Sequence, residues 1–365
     1  VESMEQELHP VSVQGEAGQY YQVRKESSGI LFTIMPWNFP VWQLLRVLPY
    51  SFAAGNPVLL KHSDLVAGTA MRLKEILIEA LGPEYFQQLF LNHEQSALII
   101  ADPRVRSVTM TGSSRGGREV AVTAGQHLKK VVLELGGSDP YLVLEDADVK
   151  LAAQISAQTR LVNNGQSCVS GKRFIVQSAR YEEFLDLFCS ELEKPLIGDP
   201  MMEATKLGPL AHAKFKKSLG DQVRKLKAAG AGLFYERELD AKFSESAYFA
   251  PQVFEVQGDE DQVRFEEFFG PVALVMRAKD DDEAVRLANA SVYGLGAGVF
   301  SEDLARFERV AQRIESGFIA WNDMVKSNAR VPFGGVKESG FGRELGLAGF
   351  GEFLNLKTFG SRRQF

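Results

Sequence analysis

Cys168, in "LVNNGQSCVSGKRF", is one of only two cysteines in 365 residues. A small, buried, inert thiol is the ordinary reading of such a residue. A thiolate nucleophile is the other. Glu134 ends an apolar stretch in "LELGGSDP", where a carboxylate is hard to hydrate; a pKa raised in that way suits a general base. A Glu capping a helix or paired with a lysine fits the same pattern. Asn38 is clamped between Pro36 and Pro40 in "PWNFP", a rigid mount for an amide aimed at a developing oxyanion, or simply a tight turn before a helix. "MTGSSRGG" follows a strand pattern and opens a helical one. Gly112 and Gly117 let backbone approach a diphosphate, Ser113 adds a hydroxyl, and the helix N-terminus offers N–H groups. Gly-rich turns of this kind are widespread, and this one is not the usual G-x-G-x-x-G fingerprint.

These residues sit in a chain of alternating strand and helix patterns. The first block has strand candidates at 29–34, 57–61, 87–92, 107–112 and 129–135. Between the second and third, "VAGTAMRLKEILIEAL" places Ala70, Leu73, Leu77, Ala80 and Leu81 on one helical face, and Gly82-Pro83 ends it. After Gly136-Gly137 the pattern restarts, with strands predicted at 141–145, 172–177, 271–278, 296–300 and 317–321. Helices are predicted at 147–162, 179–193, 211–229, 281–290 and 302–315. Near-continuous apolar strands separated by helices indicate an α/β fold with parallel sheets covered on both faces. Two such blocks predict two doubly wound domains with the active site in the crevice between them. "GQYYQVRKES" (18–27) and "FLNLKTFG" (353–360) alternate like antiparallel strands and predict a small sheet reaching toward another subunit. The expected boundaries are 1–27 for an N-terminal remnant and oligomerisation strand, 28–135 for a cofactor domain, 136–345 for a catalytic domain and 346–365 for a terminal strand and tail.

Hydrophobic residues make up 45% and charged residues 24% of the chain, an ordinary globular balance. A net charge of −6 gives no basic field for nucleic acid or an anionic membrane. Pro36, Pro40, Arg46 and Pro49 interrupt the most apolar stretch, Ile30 to Gly55, so it reads poorly as a membrane span. Two cysteines make no disulfide framework, and no signal peptide is recognised at the start. A cytoplasmic enzyme without a metal site is the expectation.

Taken together, "PWNFP", "LLK" (59–61), "TGSSRGG", "LELGG", "GQSC", "EEFFGPV" and "PFGGVKESGFGREL" resemble the aldehyde dehydrogenases, in order and from about Tyr20 to the end. The resemblance implies a Rossmann-type cofactor domain, NAD or NADP as cofactor, and a homodimer or homotetramer. It assigns Cys168 as the thiol that attacks an aldehyde, with Asn38 and the Cys168 N–H stabilising the oxyanion and Glu134 activating the water that hydrolyses the thioester. Toward the cofactor it implies Lys61 for the adenosine ribose, Ser113 with Gly112 at the pyrophosphate, and Glu267 with Phe269 at the nicotinamide ribose, beside the Gly117 already read as a diphosphate approach. Trp37 and Leu135 would contribute mainly backbone. Glu344 matches a family glutamate near the water and proton path. Cys189, on an apolar helix face, reads as packing.

Two departures qualify the resemblance. The family's common "KPxE" is here Lys61-His62-Ser63-Asp64; a shorter Asp64, with His62 and Ser63 able to accept phosphate, leaves NAD and NADP both open. Family members also carry more chain before Tyr20, so an opening stretch is expected to be missing. Within the family the wording is most like the succinate-semialdehyde dehydrogenases. Arg46, the only charge on an otherwise apolar helix, needs an anionic partner: a structural carboxylate, or the remote carboxylate of the substrate. A second arginine often lies six residues before the cysteine; here that position is Val162, with Arg160 nearby and Arg330 a substitute in the "SNARVPFGG" loop. The competing expectations are a broad aldehyde dehydrogenase and a truncated, non-catalytic binding or structural protein. A CoA-acylating enzyme fits less well, because Glu134 provides a water route.

Overall fold

The structure is a computed structural model that describes residues 2–243, 246–257 and 266–365. It divides into two compact units. The first holds Val1–Leu135, Ser327–Gly334 and Gly340–Phe365; the second holds Gly136–Lys326 and Gly335–Ser339.

The first unit is built on a six-stranded sheet in the order Gly340–Phe341, Lys130–Glu134, Val105–Thr111, Ile30–Met35, Val58–His62, Phe86–Leu89. Every neighbouring pair is parallel except the first. Parallel neighbours need crossovers, and the helices Ala67–Leu81, His93–Ala101 and Ser114–Gln126 lie between the strands in sequence. Leu31, Val58 and Leu60 pack with Leu73 and Phe86, while Phe32 and Val108 pack with Ile100 and Ala124. Apolar residues thus cover the sheet on both faces. Ala80 departs from the predicted helical face: it is exposed, and Ile78 packs with Leu77 and Leu81 instead.

Residues 327–334 and 340–345 belong to this first unit and not to the expected 136–345 stretch. The physical reason is pairing. Gly340–Phe341 takes the edge of Lys130–Glu134, and Phe333 and Glu344 exchange two backbone hydrogen bonds of 2.7 and 2.8 Å. A separate three-stranded antiparallel sheet joins Val11–Gln14, Tyr20–Ser27 and Leu354–Ser361. It pairs the two segments whose alternation marked them as antiparallel strands, from Leu354 opposite Ser27 to Ser361 opposite Tyr20.

The second unit carries a seven-stranded sheet in the order Gly232–Glu236, Gln252–Glu255, Val272–Ala278, Gly171–Gln177, Asp139–Val143, Gly296–Phe300, Phe318–Trp321. Only Gly232–Glu236 runs antiparallel to its neighbour. Leu142, Ile175 and Leu274 point into one apolar core, and Tyr141, Phe174 and Val275 into another. Burial on both faces is why these strands read as unbroken apolar runs. Gly171–Gln177 is buried along its whole length, yet it begins Gly-Lys-Arg.

Candidate active site

Each unit carries its own share of the chemistry. In the first, Glu134 ends the strand Lys130–Glu134 and is 2% exposed. Neither of its carboxylate oxygens has a hydrogen-bond partner among the described residues. An unpartnered buried carboxylate is costly, and its presence calls for a role. Burial raises its pKa well above the ordinary carboxylate value, the charge of Glu344 raises it further, and Arg46 and Arg343 oppose. Glu344 is equally buried, but its Oε2 lies 2.8 Å from Arg46 Nε and its Oε1 accepts from the Thr109 hydroxyl at 3.4 Å. With two acids and one close cation, Glu344 keeps the charge and Glu134 is the acid that holds a proton most readily.

This arrangement corrects the expectation that Arg46 receives the substrate. The side chain is buried, donates to Thr111 Oγ1 at 3.2 Å, and stacks its guanidinium 4.9 Å from the centre of the Phe333 ring. Its anionic partner is Glu344. A cation held in a dry interior is matched there, because an unmatched one is far more costly. Removing it leaves Glu344 uncompensated, so Arg46→Met is expected to destabilise the fold by about 3–5 kcal/mol. Its effect on KM should be alike for charged and uncharged aldehydes. A thermal melt and a two-substrate assay check both outcomes.

Asn38 lies in the turn between the strand Ile30–Met35 and the helix Pro40–Leu45, where Pro40 opens the helix. The buried Gln43 donates from Nε2 to Asn38 Oδ1 at 3.1 Å. Tying down that oxygen turns the amide N–H₂ the other way, as an oxyanion donor must be turned. Gln43 is the buried partner of Asn38, and the sequence signals it only as a polar residue one helical turn into an apolar stretch. Trp37 precedes Asn38 and is half-buried.

The carboxyl ends of the parallel strands form a slot of about 160 Å³ lined by Ile34, Lys61, Ile100, Met110, Gly116 and Val120. Lys61, His93, Ser96, Glu119 and Thr123 join these mainly apolar walls, a mixture that suits an adenine ring and its ribose. Ser113 caps the helix Ser114–Gln126, its Oγ accepting from Gly116 N at 3.2 Å, and Gly112 N donates to Glu134 O. Gly117 serves differently from the expectation. A Cβ there would come within 2.5 Å of Leu135 Cδ1, so the missing side chain admits Leu135 rather than a phosphate. His62 is also corrected. Its ring is buried, Nδ1 accepts from Ser63 N at 3.1 Å, and Nε2 lies 2.9 Å from Pro40 O. Burial lowers its pKa, so the ring is neutral and turned inward, away from any phosphate. Ser63 caps the short turn Asp64–Val66, and Asp64 is exposed.

In the second unit Cys168 follows the helix Val149–Leu161 on a loop of unusual backbone. Asn163, Asn164 and Gly165 have φ of 50°, 56° and 75°, three consecutive left-handed residues that Asn and Gly tolerate best. Asn164 Nδ2 donates to Gly208 O and Pro209 O, and Arg160 donates to Gly165 O at 2.8 Å and Val272 O at 3.2 Å. Arg160 is fully buried, which removes it as a substrate arginine. Gly136 and Gly137 leave room: a Cβ at 136 would meet Glu267 Oε2 at 2.6 Å, and one at 137 would meet Cys168 O at 2.5 Å. Glu267 Oε1 accepts from Gly137 N at 3.1 Å, and burial raises its pKa against Lys172. Phe269 is half-buried two residues on. Burial pushes the Cys189 thiol up to about 12, as befits packing beside Phe184 and Phe188.

A parallel sheet with an apolar slot at its carboxyl ends, a buried carboxylate and a cysteine on a held loop define a class. The chain belongs to the aldehyde dehydrogenase family, whose model, described as "Aldehyde dehydrogenase family", matches residues 1–359. It is an NAD(P)-dependent oxidoreductase of that family. It is 42% identical over 330 residues to the succinate-semialdehyde dehydrogenase [NADP(+)] of Deinococcus radiodurans, covering 90% of this chain and 69% of that one. Among solved structures it matches succinic semialdehyde dehydrogenase from Streptococcus pyogenes in complex with NADP+, with a TM-score of 0.93 and 35% identity, over 98% of this chain and 78% of that one. An NAD-dependent aldehyde dehydrogenase from Sinorhizobium meliloti matches with a TM-score of 0.93 and 33% identity, over 98% and 72%. No described helix is long and apolar enough to cross a membrane.

Proposed function

We propose that this enzyme oxidises succinate semialdehyde to succinate, with Cys168, Glu134 and Asn38 serving one reaction. The observation that carries the reading is the buried, unpartnered Glu134 carboxylate, whose pKa is raised by burial, as suits a general base. Lys61, Asp64, Gly112, Ser113, Glu267 and Phe269, with backbone of Trp37 and Leu135, would hold the dinucleotide. When bound, it supplies the hydride acceptor. The Cys168 thiolate bonds to the aldehyde carbon, and the carbonyl oxygen becomes an oxyanion. Asn38 Nδ2 and the Cys168 N–H donate to that oxygen; one such donor is worth roughly 3–4 kcal/mol of the barrier. Loss of hydride leaves a thioester on Cys168. Glu134 then takes a proton from water as the water oxygen attacks the thioester carbon, the C–S bond breaks, and Cys168 leaves as the thiolate with the carboxylic acid released.

With Arg46 occupied by Glu344, Arg330 is the arginine we assign to the substrate's remote carboxylate. It is exposed on the loop Ser327–Gly334, and its guanidinium makes no ion pair among the described residues. Arg330→Ala is expected to raise KM for succinate semialdehyde about ten- to a hundredfold, the worth of a charge-assisted contact, and to leave KM for butanal nearly unchanged. The function itself is tested by steady-state assay of both aldehydes with NAD and with NADP. A kcat/KM for butanal equal to that for succinate semialdehyde would replace the proposal with a broad aldehyde dehydrogenase. We also propose a homodimer or homotetramer assembled through the three-stranded sheet.

A further inference from the structure

The reaction as described leaves the fully buried Lys172 without a task. Lys172 stands in the strand Gly171–Gln177, and its side chain is wholly out of solvent. Its Nζ donates to the carbonyl oxygens of Ser167 and Cys168, each at 2.9 Å, and of Ser170 at 3.2 Å. An ammonium has three protons, and three carbonyls of the cysteine loop receive them. Glu267 Oε1 lies 3.7 Å away. The charged and titratable groups facing the ammonium are Glu267, Arg160, Asp139 and Cys168. Burial lowers the lysine's pKa, while Glu267 opposes that effect.

We propose that Lys172 is a positioning residue whose charge, held on the carbonyls of Ser167 and Cys168, favours the Cys168 thiolate and strengthens the Cys168 N–H as an oxyanion donor. The proposal rests on the reading of Cys168 as nucleophile. The carbonyl of Ser167 and the N–H of Cys168 are two ends of one conjugated peptide group. A cation on the oxygen draws electron density along that group and leaves the N–H more positive, as in any chain of polarised hydrogen bonds. The same charge, on a side chain buried away from solvent, favours the thiolate over the thiol. The contacts also explain the sequence. A lysine followed by an arginine inside a buried strand is expensive unless both are matched. Arg173 is matched by the carbonyls of Ser138, Leu287 and Ala288, on different parts of the unit from those that Lys172 holds. Arginine's planar fork does not reproduce three tetrahedral bonds, so the two cations are not interchangeable.

The test is alkylation of Cys168 by iodoacetamide in enzyme without added dinucleotide, with the adduct located by mass spectrometry. Lys172→Met is expected to slow the reaction about tenfold at pH 7, equivalent to one unit of thiol pKa, and to come within about twofold of the parent at pH 9.5. Equal slowing at both pH values, the mark of a merely loosened loop, would overturn the proposal, as would no slowing. Lys172→Gln keeps N–H donors without charge and should give the same pH dependence; it serves if the Met variant does not fold. The parent enzyme alone supplies a further reading. A thiol with the ordinary pKa of about 8.5 speeds up about thirtyfold between pH 7 and 9.5; Cys168 should rise less, and a rise that large or larger contradicts the proposal. Cys168→Ala with aldehyde oxidation intact would instead defeat the nucleophile reading and leave the alkylation result standing.

Discussion

Cys168→Ala is expected to lower kcat for aldehyde oxidation by a factor on the order of 10⁴ or more, because a covalent route has no second nucleophile to fall back on. Dinucleotide binding should survive, since the slot proposed for its adenine end lies in the first unit, lined by Lys61, Met110, Ile100 and their neighbours. Stability should also survive: Cys168 is half-buried, and its loop is held mainly by backbone carbonyls. The decisive measurement pairs single-turnover kinetics with a dinucleotide titration monitored by nicotinamide fluorescence. Retained turnover within tenfold of the parent would show that the sulfur is not the attacking atom.

Glu134→Gln should separate the two halves of the reaction. Acylation goes on, hydrolysis loses its base, and kcat falls by roughly 10²–10⁴. A burst of reduced dinucleotide equal to the enzyme concentration should appear, with a thioester trapped on Cys168 and visible by mass. In the parent, kcat should climb with pH above the usual carboxylate range, because the base works only when ionised and its pKa is raised; in the variant that climb should vanish. Stability moves the opposite way. A carboxyl whose pKa is higher in the folded than in the unfolded chain binds more protons when folded. The parent therefore loses stability as pH rises from about 4.3 through the raised folded value. Glu134→Gln should lose that slope and melt no lower than the parent at pH 8, a gain in stability at the expense of turnover.

The parallel sheets were legible because burial on both faces leaves unbroken apolar strands, and the break at Gly136-Gly137 was legible because two glycines interrupt them. Two of the edge strands of these sheets were not. Gly232–Glu236 is largely exposed and antiparallel, and Gly340–Phe341 is too short to show a period. Local context raised Glu134, Cys168 and Asn38 only as candidates, and the family resemblance assigned their roles. Their supports were not raised, since Gln43, Thr109 and Lys172 act on residues or carbonyls through folded geometry. Arg46 shows the limit plainly. A lone charge on an apolar helix demands a counter-charge, but the sequence holds nothing to say that Glu344, almost three hundred positions away, would supply it.

The turn from Asn163 to Gly165 carries a consequence for variation at this place. A library that randomises Asn163 and Asn164 should return a short alphabet of Gly, Asn and Asp, whatever reaction is selected, because β-carbons of branched residues collide with their own backbone when the helical hand is reversed. The address of the sulfur is written in chain chirality, and side-chain chemistry only signs it.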